Sequence, residues 1–455
     1  MDIANQLRLE DIRKVYFVGI GGIGMSAIAR YFLDCGVEVF GYDKTPTALT
    51  AALEAEGMKI HYKDDPASLP QAIDLVVWTP AIKVLAELET LRSSNIPVLK
   101  RAEVLGLISR NKRTIAIGGT HGKTTTSSLT AHLLHVGGLN NTAFLGGIAE
   151  NFKSNYLKGN GEWVVVEADE FDRSFLHLRP EIAVVTSMDA DHLDIYGSDD
   201  EIKKSFNLFA NLTCAGGTVF TKKSLPLLVQ SAEVDKCFYG VGEGDFFADN
   251  LRYEDGFSVF DYHSPNDKME ALRFTTPGRH NVENATVAIA IARLLGVSEL
   301  RIREGLQSFK GIKRRFEFLI KSERYIYIDD YAHHPTELNA TIRSARLLFP
   351  GKKILGIFQP HLYSRTRDFQ DGFAEALDEL DEILLMDIYP ARELPIEGVS
   401  SDSIFVRMKN PHRQKVAREQ ILDKIAASEF DVILTLGAGD IDQLREPITA
   451  MLTRQ

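Results

Sequence analysis

The sequence predicts an α/β protein of three domains, on three observations. β-like runs alternate with helical stretches along all 455 residues. Two of those runs, starting at Lys14 and Thr114, pass through a glycine turn directly into a helix. In the last third, polar residues gather just past each run, where open parallel sheets place their ligands. Polar segments at Ser109–Arg113 and Gly311–Phe316 set the expected boundaries, giving domains 1–110, 111–313 and 314–455.

Composition narrows the class. A hydrophobic content of 44% with 25% charged residues is that of a globular protein with full cores. The net charge of −11, with no basic block, excludes a general nucleic-acid or anionic-membrane binder. Cys35, Cys214 and Cys237 lack C-x-x-C spacing, which points to a reducing compartment without a disulfide or zinc framework. The opening MDIANQLRLEDIRK has no signal-peptide core and no run is long enough to span a bilayer, so the expectation is a cytoplasmic protein with no membrane insertion.

In the first domain, Lys14–Asp43 reads as strand, Gly19-x-Gly21-x-x-Gly24, apolar helix, second strand. This is a βαβ unit whose glycine turn accepts a pyrophosphate, with Asp43 placed for a ribose hydroxyl. The residues alone leave open a UDP-sugar or similar diphosphate, NAD(P), or plain helix packing. Further strands are expected at Ile73–Trp78, before Thr79-Pro80, and at Ile96–Leu99, before Lys100-Arg101. Arg101 faces the same ligand or caps a solvated helix start.

In the second domain, TIAIGGTHGKTTTSSLTAHLL (Thr114–Leu134) is the segment that most breaks local rules. Lysine at a helix start opposes the macrodipole, and Thr124-Thr125-Thr126-Ser127-Ser128 is a poor helix former. A docked phosphate offsets both costs, with Lys123 at the terminal phosphates and Thr124 facing Mg²⁺. The generic P-loop spacing is not met, because Ile117 stands where its first glycine belongs. Runs at Trp163–Glu167 and Ile182–Met188 each stop at an acidic series: Glu167, Asp169, Glu170 and Asp172, then Asp189 onward. Such crowding of like charge calls for a cation, with oxygens from Thr124 and Glu167 and a nitrogen from His192. Asn281 and Asn284 share one face of a following helix, as caps or as flanks of a base.

In the third domain, strands are expected at Tyr325–Ile328, Ile354–Phe358, Glu382–Met386 and Val432–Leu436. The first ends at Asp329-Asp330-Tyr331-Ala332-His333-His334-Pro335, the second at Gln359 to Asp368. The histidine pair beside two aspartates reads as functional, and Arg365 and Arg367 suit a carboxylate or phosphate.

Together GTHGKTTT (Gly119–Thr126), EADE (Glu167–Glu170), DADHLDIYG (Asp189–Gly197), HNVENA (His280–Ala285), DDYAHHPTE (Asp329–Glu337) and QPHLYSRTRD (Gln359–Asp368) resemble the Mur ligase family, in its order and over essentially the whole chain. His121 and the last two segments are similar to the branch that adds L-alanine; the branch that recycles a tripeptide differs where this chain has QPHLYSRTRD. The resemblance implies an N-terminal Rossmann-like domain for a UDP-sugar, a central P-loop ATPase-type domain and a C-terminal Rossmann-like domain for the amino acid. It implies ligation of L-alanine to the lactyl carboxylate of UDP-N-acetylmuramate through an acyl phosphate, with ATP and Mg²⁺, in peptidoglycan precursor synthesis.

By position, Gly119, Thr120, His121, Gly122, Lys123, Thr124, Thr125, Asn281, Asn284, Arg315 and Asp330 are then expected around ATP. Gly19, Gly21, Gly22, Gly24, Met25, Asp43, Thr79 and Arg101 are expected around the UDP-sugar. Thr124, Glu167 and His192 are expected on the metal, and Tyr331, His333 and Arg365 in the amino-acid pocket, with Lys123, His333 and Arg365 catalytic. Leu362 departs from the branch, which often carries arginine there. The readings set against this one are a tripeptide-recycling ligase, an NAD-dependent oxidoreductase built on Gly19–Asp43, and a non-catalytic nucleotide-sugar-binding protein.

Overall fold

The computed structural model describes residues 7–82, 84–189, 196–391 and 393–454. They form two compact units. The first runs to Asp249 and adds Asp261–Leu272 and Glu283–Phe309; the second comprises Asn250–Phe260, Arg273–Val282 and the chain from Lys310 on.

The first unit holds two parallel-dominated sheets. In one, β1 (Lys14–Val18), β2 (Glu38–Tyr42), β3 (Lys59–His61), β4 (Leu75–Trp78) and β5 (Val98–Lys100) lie in the order β3-β2-β1-β4-β5, all parallel. Alternation in β1 sends Val15 and Phe17 to one buried face and Tyr16 and Val18 to the other, as a sheet covered on both sides requires. The last strand starts later than its apolar run because Pro97 has no N–H for the ladder; its carbonyl still accepts from Val76.

The second sheet contains β6 (Arg113–Gly118), β7 (Thr142–Ala149), β8 (Ser154–Leu157), β9 (Trp163–Glu167), β10 (Ile182–Val185), β11 (Thr218–Thr221) and β12 (Asp235–Val241), ordered β12-β11-β10-β6-β9-β7-β8. β6 is central, between β10 and β9, so its C-terminal end opens between two neighbours. β10 stops at Val185 rather than Met188 because Thr186 and Ser187 turn to bond the loop after β6. The helix Ile23–Asp34 of the first sheet packs on β7 and β8 of the second. There the buried Asn155 donates to Ile23 O and Ser26 Oγ (2.9 Å) and accepts from Arg30. One apolar core therefore serves both sheets, running from Val15 and Phe32 through Phe144 to Phe206.

Next in the chain come β13 (Phe246–Glu254), β14 (Phe257–His263) and β15 (Lys268–Phe274), and the division between the units falls within them. The second unit is a six-stranded sheet of β16 (Glu317–Lys321), β17 (Ile326–Asp330), β18 (Ile354–Phe358), β19 (Glu382–Leu385), β20 (Arg413–Lys415) and β21 (Val432–Leu436), ordered β16-β17-β21-β18-β19-β20. Only β16 is antiparallel. Its two faces carry separate apolar cores, one with Ile328, Leu338 and Phe358 and one with Tyr327, Ile357 and Ile433. β17 runs two residues past its apolar stretch, since Asp329 and Asp330 pair in register with Thr435 and Leu436. Among the described residues, no helix is long and apolar enough to cross a membrane.

Candidate active site

The loop after β6 is shaped by its glycines and held by the strand beside it. Gly119 has φ +135°, and a β-carbon there would stand 2.0 Å from Thr186 Oγ1, so no other residue fits. Thr186 Oγ1 donates to Gly118 O and His121 O, His121 N donates to Ser187 Oγ (2.7 Å), and Asp189 N donates to Thr120 Oγ1 (3.1 Å). Gly122, with φ +83°, opens the helix Lys123–Val136, and a β-carbon on it would lie 2.9 Å from Asn284 Oδ1. Asn284 therefore lies against the loop, while Asn281 is buried with its Nδ2 donating to Pro277 O (2.6 Å). Thr124 is buried and Thr125 half-buried in the first helical turn; His121 Nε2 stands 3.5 Å from Asp189.

Lys123 turns back into this loop. Its Nζ donates to Gly119 O (2.6 Å) and Thr120 O (3.3 Å) and pairs with both oxygens of buried Glu170 (2.9 and 2.8 Å). Burial pulls the ammonium's pKa down, but Glu170, Glu167 and Asp169 more than reverse that, and it is held above its ordinary value.

The acidic series is not a shared pool of negative charge. Asp169 pairs with Arg101 (2.9 Å), Glu170 with Lys123 and Asp172 with Lys100 (3.0 Å). Glu167 differs, since its contacts are neutral donors: the hydroxyls of Thr124 (3.1 Å) and Ser127 (3.4 Å) and the N–H of Gly146 (2.9 Å). The charge argument for a metal thus narrows from four carboxylates to one. Among the described residues no three His, Cys, Asp or Glu side chains are grouped as a metal site. The donor set of one carboxylate and adjacent hydroxyls still fits a hard divalent cation that takes most of its shell from water and phosphate. It sits where a β-carbon on Gly146 would intrude to 2.1 Å. His192, the expected nitrogen ligand, lies outside the described residues.

The loop after β1 lies in the same unit. Gly19 and Ile20 donate to Tyr42 O (2.8 and 3.1 Å), and Gly21 N donates to Asp43 Oδ2 (2.8 Å). Asp43, expected to take a ribose hydroxyl, thus has one oxygen engaged in shaping the glycine turn. Thr79 stands against Gly19, and Gly22 precedes the helix in which Met25 is buried. Arg101 lies against Gly24, 2.6 Å from the position of an added β-carbon, with its other end on Asp169. It is no solvated cap; it links the first glycine loop to the acidic series.

In the second unit, polar groups gather at the C-terminal ends of β17 and β18. Asp330 accepts from Phe316 N (2.7 Å) and Ala332 N (2.8 Å), and burial pushes its carboxyl up to about 6. Arg315 lies over the Tyr331 ring (5.4 Å) and donates to Glu337 (3.4 Å). His333 Nδ1 is held by Tyr331 O (2.8 Å) beside Glu337 Oε2 (3.2 Å); burial lowers its pKa to about 4. The carbonyl fixes the proton on Nδ1 and leaves Nε2 as acceptor. Arg365 is buried, 3.5 Å from His361, whose ring faces His333 at 6.0 Å.

Two expected partners separate from this group. His334 accepts from Thr336 N (3.3 Å) as the cap of the helix Pro335–Leu348 and packs on Phe369. Arg367 points outward and pairs with Asp368. Leu362, at the start of the helix Tyr363–Leu377, is held at φ +72° by its N–H to Tyr389 O (3.0 Å). Sequence reasoning named neither Glu170, Thr186 and Ser187 nor Glu337 as site residues; their partners lie far away in sequence or, for Glu337, pass for an ordinary first-turn acid.

Three family models match the chain in order: "Mur ligase family, catalytic domain" over residues 14–113, "Mur ligase middle domain" over 117–292 and "Mur ligase, glutamate ligase domain" over 314–439. Curated relatives named UDP-N-acetylmuramate–L-alanine ligase include one from Flavobacterium johnsoniae, 51% identical and covering 98% of this chain and 99% of its own length. One from Porphyromonas gingivalis is 48% identical over 97% and 99%. Among solved structures, the UDP-N-acetylmuramate–alanine ligase of Thermotoga maritima superposes with a TM-score of 0.83 at 30% identity, covering 97% of this chain and 99% of that one.

Proposed function

The chain belongs to the Mur ligase family, and we propose that it joins L-alanine to the lactyl carboxylate of UDP-N-acetylmuramate in a reaction driven by ATP. The observation that carries the residue roles is the loop Gly119–Thr124. A half-buried lysine, adjacent hydroxyls and a carboxylate whose donors among the described residues are neutral form an arrangement that a nucleotide phosphate and its cation complete.

The lactyl carboxylate attacks the γ-phosphoryl group, giving an acyl phosphate and ADP; the alanine amine then displaces phosphate to form the amide. Lys123 exchanges Glu170 for the β- and γ-phosphate oxygens, so its charge follows the negative charge that develops there. Thr124 and Glu167 would hold Mg²⁺, which would neutralise phosphate charge. Gly19–Gly24 receive the UDP diphosphate at a helix N-terminus, with Arg101 beside it. Arg365 holds the alanine carboxylate, and Tyr331 walls the pocket. His333, with its proton fixed on Nδ1, accepts a hydrogen bond from the amine at Nε2 and takes its proton as the amide forms.

Phosphate release from ATP and Mg²⁺ with UDP-N-acetylmuramate tests the reading, with L-alanine, L-serine, glycine, D-glutamate or the cell-wall tripeptide supplied separately. Strongest release with L-alanine is expected. Release with the tripeptide alone would reassign the pocket to recycling.

A further inference from the structure

We propose that His61 is the residue that selects uracil in the sugar nucleotide, presented to the base by a fully buried Glu87. The inference rests on the reading of Gly19–Gly24 as the diphosphate loop of a UDP-sugar. Three positions step across the top of the first sheet. The glycine loop after β1 is bonded to Tyr42 O at the end of β2, and the next residue, Asp43, donates its N–H to His61 O (3.1 Å) at the end of β3. Tyr42 and His61 are direct register partners. Two strand spacings, about 10 Å, separate the loop from His61. A ribose and base reaching away from a diphosphate cover a span of that order.

The environment of His61 fixes its chemistry. Glu87, in the helix Ala86–Arg92, has no exposed surface, and it accepts from the Tyr16 hydroxyl, from Asp65 N (2.7 Å) and from His61 Nε2 (2.8 Å). A buried carboxylate holds its charge only while such donors stay in place, so Nε2 carries a hydrogen. Tyr16 and Tyr42 tilt against the imidazole at 6.2 and 5.8 Å and fix its plane. The side chain is 28% exposed, and among the described residues its Nδ1 meets no hydrogen-bonding partner. In its neutral form a ring anchored through Nε2–H offers Nδ1 as an acceptor. Uracil presents N3–H, a donor, between two carbonyls; cytosine presents a bare N3, an acceptor. The same geometry that takes uracil sets two lone pairs against each other for cytosine. A doubly protonated ring would donate and reverse that preference.

Glu87 is a positioning residue in this scheme. None of Tyr16, His61 and Glu87 belongs to the phosphate or amino-acid sites, and Tyr16 and His61 lie 71 and 26 positions from Glu87 in sequence.

The test is calorimetric titration of UDP and CDP into the wild-type chain, His61→Phe and His61→Gln, with KM for UDP-N-acetylmuramate and for ATP measured alongside. UDP should bind wild type about tenfold or more tightly than CDP. His61→Phe should lose that preference and raise the sugar-nucleotide KM about tenfold, leaving the ATP KM unchanged. His61→Gln, whose amide still serves Glu87, should keep the fold and retain part of the preference. Equal affinity for the two nucleotides in wild type, tighter CDP, or an unchanged preference in His61→Phe would overturn the proposal. Wild type that prefers UDP yet releases no phosphate with any acceptor would instead overturn the ligase reading and leave the base contact standing.

Discussion

Gly146→Ala separates the active site from the fold more cleanly than truncating any site side chain. Gly146 lies on β7, its N–H donates to Glu167 Oε2, and an added β-carbon would stand 2.1 Å from Oε1 and 2.5 Å from Oε2. Ordinary contact begins at 3.4 Å, so the carboxylate must retreat by about 1 Å. Its φ is not in the left-handed region, so alanine is conformationally acceptable. The three nearest atoms all belong to the end of the flexible Glu167 side chain, so the fold should persist, with about 1–2 kcal/mol lost through its disturbed hydrogen bonds. Catalysis should not be spared. The Thr124 to Glu167 hydrogen bond, already 3.1 Å, does not survive such a shift, and misplacing a reacting-site group by about 1 Å costs about 10²-fold. That corresponds to about 2.7 kcal/mol of transition-state stabilisation. The assay is initial phosphate release across a Mg²⁺ titration, with unfolding followed by calorimetry. A folded variant with kcat about a hundredfold lower and a higher Mg²⁺ requirement is expected. Wild-type kcat with wild-type Mg²⁺ dependence would refute the assignment of Glu167 to the metal.

Lys123→Met should abolish turnover and also lower stability by about 3 kcal/mol, because it strands buried Glu170. Adding Glu170→Met should restore the melting temperature without restoring activity; a double variant as unstable as the single one would argue against the pair. Two titrating groups of the second unit, His333 and Asp330, oppose each other. His333, lowered to about 4 from 6.5, loses stabilisation as pH falls through that window; Asp330, raised to about 6 from 3.8, loses it as pH rises between those values. Asp330→Asn leaves the His333 slope unbalanced, so its melting temperature should drop more than that of wild type between pH 7 and pH 5, and parallel profiles would count against it. Arg365→Lys should raise the KM for L-alanine about tenfold with the ATP KM unchanged, whereas Arg367→Ala, outward and paired with Asp368, should change neither.

Much of this was legible in the sequence because it is local. The glycine loops, the strands that feed them and the polar clusters at strand ends lie within a few residues of their own signals. Failures came where a contact closes over a long separation. Nothing near Glu170 marks it as the partner of a lysine 47 positions earlier, and nothing near Asp169 points to Arg101, 68 positions back. The crowding that calls for a cation is relieved at three of the four carboxylates by Arg101, Lys123 and Lys100, which leaves Glu167, the one the sequence singles out. Other distinctions lay within reach. Arg365 and Arg367 are two residues apart on one helix, about 200° around its axis, so only one faces inward. His334, directly before Pro335, sits where a helix cap belongs.

Segment Glu167–Asp172 imposes a constraint of its own. Within six positions it serves Thr124, Arg101, Lys123 and Lys100, and Asp172 and the following Arg173 take left-handed backbone at φ 52° and 55°. Loops usually absorb insertions and deletions over evolutionary time. This one cannot, because a single added residue shifts everything after it by about 3.3 Å and uncouples up to three charge pairs at once. Its length should stay fixed in descendants of this chain even where its neighbours drift, and substitutions within it should act jointly rather than additively.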